Sequence, residues 1–192
     1  TSFNDAIANL SVNSLKFISP SQDGIEIDNI NIELNNQNTP QYISLNSDIV
    51  DGEVEGSYDF TSLVHSAKDI VSHYLPSLIS DECIETMSYE KEKTSLNDFN
   101  FNFTIKDNNE ILDLINAPVR LIHPIKITGD MNHLAHKMNL IIDVPYLQQK
   151  NKLIKDTRLS VNIDKDKDMC QLFATTKMPS KKGETLVNLK CN

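Results

Sequence analysis

The sequence predicts a mainly β chain with one or two helices (α+β), folded as a curved antiparallel sheet. Three observations point there. Apolar and polar residues alternate with a period of two over most of the 192 residues, one stretch carries a helical apolar stripe, and Ile and Asn are common where Gly is scarce. With 5 Gly and no Trp, the composition suits long plain strands better than tight catalytic loops.

Ala6, Ala8, Leu10 and Val12 hold one row, and Leu15 with Phe17 resumes it with shifted parity after Asn13-Ser14. Ile25 and Ile27, then Ile30, Ile32 and Leu34, slip in the same way at Asp28-Asn29. Because parity decides which face is buried, each slip predicts a β-bulge or a tight turn. Asn35 to Pro40 reads as a polar loop. The clearest strand runs from Ile49 to Phe60, with Val50, Val54, Tyr58 and Phe60 sharing a face with Gly52 and Gly56. Glycine in an apolar row marks a close approach or a strand that curls.

A helix over about 62–79 follows, with Thr61 or Ser62 as its cap. Leu63, Ala67, Ile70, Val71, Tyr74, Leu75 and Leu78 form its stripe, and Pro76 kinks or ends it. Asp81 to Ser95 is charged and reads as a loop or short strand. Phe99, Phe101, Phe103 and Ile105 then give a strand with an aromatic inner face. A short helix fits Asn109 to Asn116, and Pro118 and Pro124 bracket an extended piece. Strands are expected over Ile125 to Gly129, Leu134 to Leu147, Lys155 to Ile163, Met169 to Met178 and Glu184 to Cys191. The order suggests two repeats, 1–88 and 89–192, sharing one continuous sheet, with a seam in Asp81 to Ser95.

The formal net charge of −9 repels phosphate backbones, and no Lys/Arg stripe offsets it. Nucleic acid, and docking on an anionic membrane through basic residues, are therefore not expected. Cys83, Cys170 and Cys191 are odd in number and form no CxxC, so they read as buried or unpaired thiols, with one disulfide plus a leftover thiol as the alternative. No stretch approaches the roughly 18 apolar residues of a membrane-spanning helix. Thr1 to Ile18 lacks the pattern of a signal peptide, and a start at Thr1 without Met reads as processed or cut from something longer.

Catalytic signatures are absent: no Gly-rich phosphate loop, GxSxG, HExxH or Walker-type Lys. His133 and His136 invite a metal reading. On a strand, however, residues three apart point to opposite faces, with His136 in the row of Leu134, Met138 and Leu140 and His133 near the turn. Asp164, Asp166 and Asp168 open like an EF-hand loop, but Met169 stands where that loop needs Gly and Thr175 where it needs Glu. A solvated hairpin tip is expected instead. Asp51, Glu53, Glu55 and Asp59 line the polar face of one strand rather than forming a catalytic carboxylate pair. No enzyme activity, cofactor or metal is expected. What remains is the apolar surface. Either two sheets close on each other as a sandwich, or one long curved sheet leaves part of its face for a lipid chain.

The run SDIVDGEVEGSYDFTSLVHSAKDIVSHYLPSLI, Ser47 to Ile79, resembles the TamB family of AsmA-like bacterial envelope proteins in its Bacteroidota form. There, D-x-x-V-x-G-x-Y/F-x-F leads into a helix ending in Y-L-P. FNFNFTIKDNNEILDLINAPVRLIHPIKITGDMN, Phe99 to Asn132, and the following DVPYLQQKNKLIKDTRLSVN look similar too. The resemblance implies an internal piece of a longer periplasmic protein anchored in the inner membrane. Its β-taco-like open groove, or incomplete barrel, would carry or bind phospholipid toward the outer membrane. It also implies an outer-membrane β-barrel partner, met through parts of the parent chain outside this one, and a role in outer-membrane assembly. By the motif, Val50, Val54, Tyr58, Phe60, Phe99, Phe101 and Phe103 face the groove or the helix in it; Ile105, Leu140 and Ile142 join that apolar face. The alternative is a structural β-sandwich module offering edge strands to a partner protein.

Overall fold

The computed structural model describes residues 6–19, 22–60, 62–74, 97–107, 109, 112, 117–180 and 183–191. Alternation of apolar and polar residues yields strands throughout: β1 (Ile7–Ser19), β2 (Gln22–Asn35), β3 (Gln41–Ser47), β4 (Val50–Ser57), β5 (Asp98–Ile105), β6 (Arg120–Leu121), β7 (Ile125–Asn132), β8 (Lys137–Gln149), β9 (Lys152–Asp164), β10 (Met169–Ser180) and β11 (Gly183–Cys191). One helix, α1 (Leu63–Tyr74), interrupts them. The strands form a single antiparallel sheet in the order β1-β2-β3-β4-β5-β7-β8-β9-β10-β11, with β6 added to β8. The sheet is open, β1 and β11 being its two edges. This excludes the sandwich alternative for the described residues.

Residues opposed across an antiparallel ladder share a face, so the register can be followed from edge to edge. One row reads Leu10, Ile32, Leu45, Gly52, Phe103, Ile127, Ile142, Leu159, Ala174, Leu189. A second, two residues away, reads Ala8, Leu34, Ile43, Val54, Phe101, Gly129, Leu140, Val161, Leu172, Cys191. Neither contains a charge. Between them, on the opposite face, runs Asn9, Glu33, Ser44, Glu53, Asn102, Thr128, Ile141, Ser160, Phe173, Lys190. The sheet is therefore oily on one side and wet on the other along its whole width.

The expected slips in β1 and β2 fall at the same level. Asn13 still pairs with Asn29 and Leu15 with Ile27, while Ser14 takes a left-handed φ of 64°. Changing parity in both strands together keeps apolar residues opposite apolar residues. The neighbouring ladder ends there: the amides of Asp28 and Asn29 donate instead to Asp48 Oδ2 at 2.8 and 3.1 Å. A further register shift separates Thr175 and Lys177 against β9, where Asp156 has a φ of 47°. Such bulges bend and twist a strand.

Several strand boundaries differ from expectation, most of them by two or three residues. β4 stops at Ser57, so Tyr58, Asp59 and Phe60 lie beyond the ladder. The cause is local: the Tyr58 amide donates to Gln41 Oε1 (2.7 Å) and the Asp59 amide to Asn97 Oδ1 (2.8 Å), which turns the chain toward α1. β8 begins at Lys137 rather than Leu134, because residues 133–136 form the turn from β7. β6 occupies part of the segment bracketed by prolines. Of the short helix expected over 109–116, Asn109 and Leu112 are described and both are helical. Thr61, Leu75, Leu78, Cys83 and the Asp81 to Ser95 stretch lie outside the described residues.

α1 rests on one end of the apolar face. Ile70, fully buried, packs with Met131 and Ile163, and around them gather Leu63, Ala67, Val71, Phe99, Met138, Val161 and Cys170. Phe99, Met131, Met138, Ile163 and Cys170 are themselves a cross-strand row, the one nearest the β7–β8 and β9–β10 turns. The helix thus covers a rim and not the middle of the sheet.

A candidate apolar groove

β5 sets the floor. Phe99, Phe101 and Phe103 follow each other with ring centroids 6.1 Å apart and tilted by 40°. Their neighbours opposite are glycines. A side chain at Gly52 would occupy the space of the Phe103 ring, and one at Gly129 would meet the Phe101 ring and the Asn139 carbonyl. Gly56, with a φ of 145°, lies against Phe99. The Phe103 and Phe101 rings therefore lie down over glycine, on β4 and β7 respectively. The close approach expected at Gly52 and Gly56 is filled by phenylalanine.

Of the residues assigned to this face, Val50, Val54, Phe99, Phe101, Phe103, Ile105, Leu140 and Ile142 all fall in its cross-strand rows. Tyr58 and Phe60 sit past the end of β4. Their rings meet edge to face at 5.1 Å, and Tyr58 meets Phe99 in the same way at 6.1 Å, so they continue the aromatic line around the α1 rim. Tyr58 is buried, its hydroxyl donates to Asn36 Oδ1 at 2.9 Å, and burial pushes its phenol up to about 12.

Both rims are pinned by asparagine amides, Asn97 buried and Asn109 half-buried. At the first, Asn97 Nδ2 donates to the Ser66 and Ser62 hydroxyls at 2.7 and 3.0 Å, and Oδ1 accepts the Asp59 amide. Its own carbonyl accepts the His133 amide at 2.8 Å. One side chain joins the start of α1, the approach to β5 and the β7–β8 turn. At the other rim, Asn109 Nδ2 donates to the Leu121 carbonyl (2.9 Å) and Oδ1 accepts the Leu121 amide (2.8 Å), holding the buried Leu121. Between the rims, Val54, Phe101, Phe103, Ile127, Leu140, Ile142 and Leu159 are half-buried only. Seven apolar side chains among the described residues are buried, Ile27, Leu34, Tyr58, Ile70, Leu121, Met131 and Ile163, and all but Leu34 lie outside the two central rows.

The polar motifs resolve into structural contacts. His133 and His136 are in the β7–β8 turn, not on a strand, so His136 does not share the row of Met138 and Leu140. Both approach Asp69 of α1, with His133 Nε2 at 3.3 Å and His136 Nδ1 at 3.9 Å from Oδ2. Among the described residues no group of three or more His, Cys, Asp or Glu is arranged to hold a metal ion. Asp164 to Asp168 form a hairpin tip with a short 3-10 turn at Lys165–Lys167. Asp164 accepts the Asp166 amide, and Lys167 at 3.0 Å, aided by Lys137, holds its carboxyl below the usual carboxylate range. Asp51 pairs with Lys106 at 2.8 Å, and Glu53 and Glu55 are exposed on the polar face. Cys170 and Cys191 are free thiols, and burial pushes the Cys170 thiol up. No helix among the described residues is long and apolar enough to cross a membrane.

The ties at Asn97 and Asn109 were not anticipated. Both residues look like ordinary loop asparagines in the sequence, and only the fold brings their partners together. Comparison with protein-family models, with curated proteins and with solved structures finds no match.

Proposed function

We propose that this chain is a non-catalytic segment of an envelope-spanning protein whose apolar β-groove binds and carries phospholipid acyl chains between the inner and outer membranes. The observation that supports this reading most is the pair of uncharged rows running across all ten strands of the ladder between two pinned rims. With neighbouring strands about 4.8 Å apart, nine gaps give a strip roughly 43 Å long, ample for an extended acyl chain lying across the strands. Each methylene withdrawn from water onto such a strip gains about 0.8 kcal/mol. A charge in the strip would oppose this, and there is none. The Phe rings lying over glycine keep the floor low, as a sliding chain requires.

In this reading the sheet is a β-taco-like trough, the segment works in the periplasm as part of an inner-membrane-anchored parent, and it supports outer-membrane assembly with a β-barrel partner. It needs no cofactor. Native mass spectrometry of the purified chain after exposure to phospholipid vesicles tests it. Lipid adducts are expected, and they should disappear in Leu140→Glu while the β-sheet circular dichroism is retained. A folded chain that takes up no lipid would overturn the proposal.

A second reading, a structural module offering edge strands to a partner protein, is favoured by β11, all nine residues of which are exposed, with Leu186, Val187 and Leu189 among them. It predicts that Asn188→Pro, which removes an edge donor, abolishes partner capture and leaves lipid uptake intact.

A further inference from the structure

The wet face carries an irregularity of its own. The polar row that runs from Asn9 to Lys190 holds polar or charged residues in eight of its ten strands, and Ile141 of β8 and Phe173 of β10 break it. Between these two stands Ser160 of β9, a small side chain that leaves a notch. The notch opens into a depression of about 590 Å³, bounded on its next row by Asn139, Asn162 and Gln171 and at its ends by Asp130 and Lys190, with the intervening Val161 and Leu172 also in its lining. Phe173 keeps 38% of its surface exposed, although the oily side of the same sheet was open to it by a shift of one residue. Apolar residues placed against the binary pattern are expected where they serve a ligand.

Chemically the notch is two-natured. Ile141 and the Phe173 ring offer apolar flanks on either side of a hydroxyl. The amides of Asn162 and Gln171, like Ser160 Oγ, have no side-chain partner among the described residues and face the depression. Asp130 is already occupied, both its oxygens accepting the Asn139 amide at 3.0 Å, and the Lys190 cation in the same lining offsets its charge. A flat ring with an apolar C–H face and a rim of hydroxyls meets both requirements: the C–H face stacks on the aromatic, and the rim hydroxyls exchange donors and acceptors with amides and the serine. An acyl chain would leave the amides without partners, and a phosphate-rich polymer would meet a chain of net charge −9. From this we infer that the depression around Ser160 binds a pyranose ring of a glycan, on the face opposite the groove and independently of it.

Titration of isotope-labelled full chain with maltohexaose, cellohexaose and chitohexaose, monitored by NMR, tests this directly. The side-chain amide signals of Asn162 and Gln171 should shift saturably with at least one of the three, while those of Asn97 and Asn109 stay in place. Phe173→Ala and Gln171→Ala, both on the solvated face, should each weaken the affinity about tenfold, equivalent to about 1.4 kcal/mol. A parallel arm with vesicles carrying a glycosylated lipid separates sources: response to the free oligosaccharide points to a polymer, and response to the vesicles alone points to a headgroup. Absence of any shift in all arms, or binding indifferent to both substitutions, would overturn the inference. Neither result would bear on lipid uptake by the other face.

Discussion

Single side chains decide how this sheet is held at its rims. Asn97 is almost wholly inaccessible and uses both ends of its amide. Asn97→Ala would remove the donor to the Ser62 and Ser66 hydroxyls and the acceptor of the Asp59 amide, and a loss on the order of 3 kcal/mol is expected from urea denaturation. Gly129→Ala should cost about 2 kcal/mol, because the new methyl meets the backbone carbonyl of Asn139 as well as the Phe101 ring, and the carbonyl cannot yield without disturbing the ladder. Tyr58 gives a signature in alkali. Its phenol holds its proton more tightly in the native state, up to about 12, than in the unfolded chain, where 10 is ordinary. Its contribution is complete below about pH 10 and is lost as pH rises through 12. Tyr58→Phe should therefore flatten the alkaline fall in stability, and absorbance titration should find one of the five tyrosines ionising late.

At the scale of elements, α1 is a cap on one rim, held by apolar packing and by the Asn97 tie. Ile70→Ala removes its fully buried centre and should cost about 3 kcal/mol. Hydrogen exchange should then rise first in α1 and in the β7–β8 turn, and only later in β8 and β9. The helix was legible because Leu63, Ala67, Ile70 and Val71 repeat at helical spacing. The strands were legible because their inner rows are nearly pure Ile, Leu, Val and Phe. The boundaries at Ser57 and Lys137 were not: the first depends on Gln41 and Asn97 capturing backbone amides from distant segments, the second on Asn132 capturing the Ala135 amide within the turn. Alternation continues through Tyr58 and Leu134 in the sequence, and these side-chain hydrogen bonds end β4 earlier and start β8 later than it suggests. His133 lies in the turn, near which the sequence places it, whereas His136 differs from expectation because the turn runs on through residue 136 before β8 begins.

For the molecule as a whole, the informative property is the coherence of register from β1 to β11. Leu10 and Leu189 begin and end one row although 179 positions of sequence separate them, and alternation within each strand could not say which strands are neighbours. Eight of the ten residues assigned to the apolar face are found in its rows, but the sequence alone left open whether that face closed on a second sheet. The order of a single open sheet answers this in favour of one layer, with the charge-free rows on one side of it. The measurement that tests the account most directly is paramagnetic broadening by a phospholipid spin-labelled in its acyl chain. Methyl signals of Ile127, Leu140, Ile142 and Leu159 should broaden most, and that of Ile141, one residue away on the other face, distinctly less. Equal broadening on both faces, or none on either, would contradict a lipid-bearing groove.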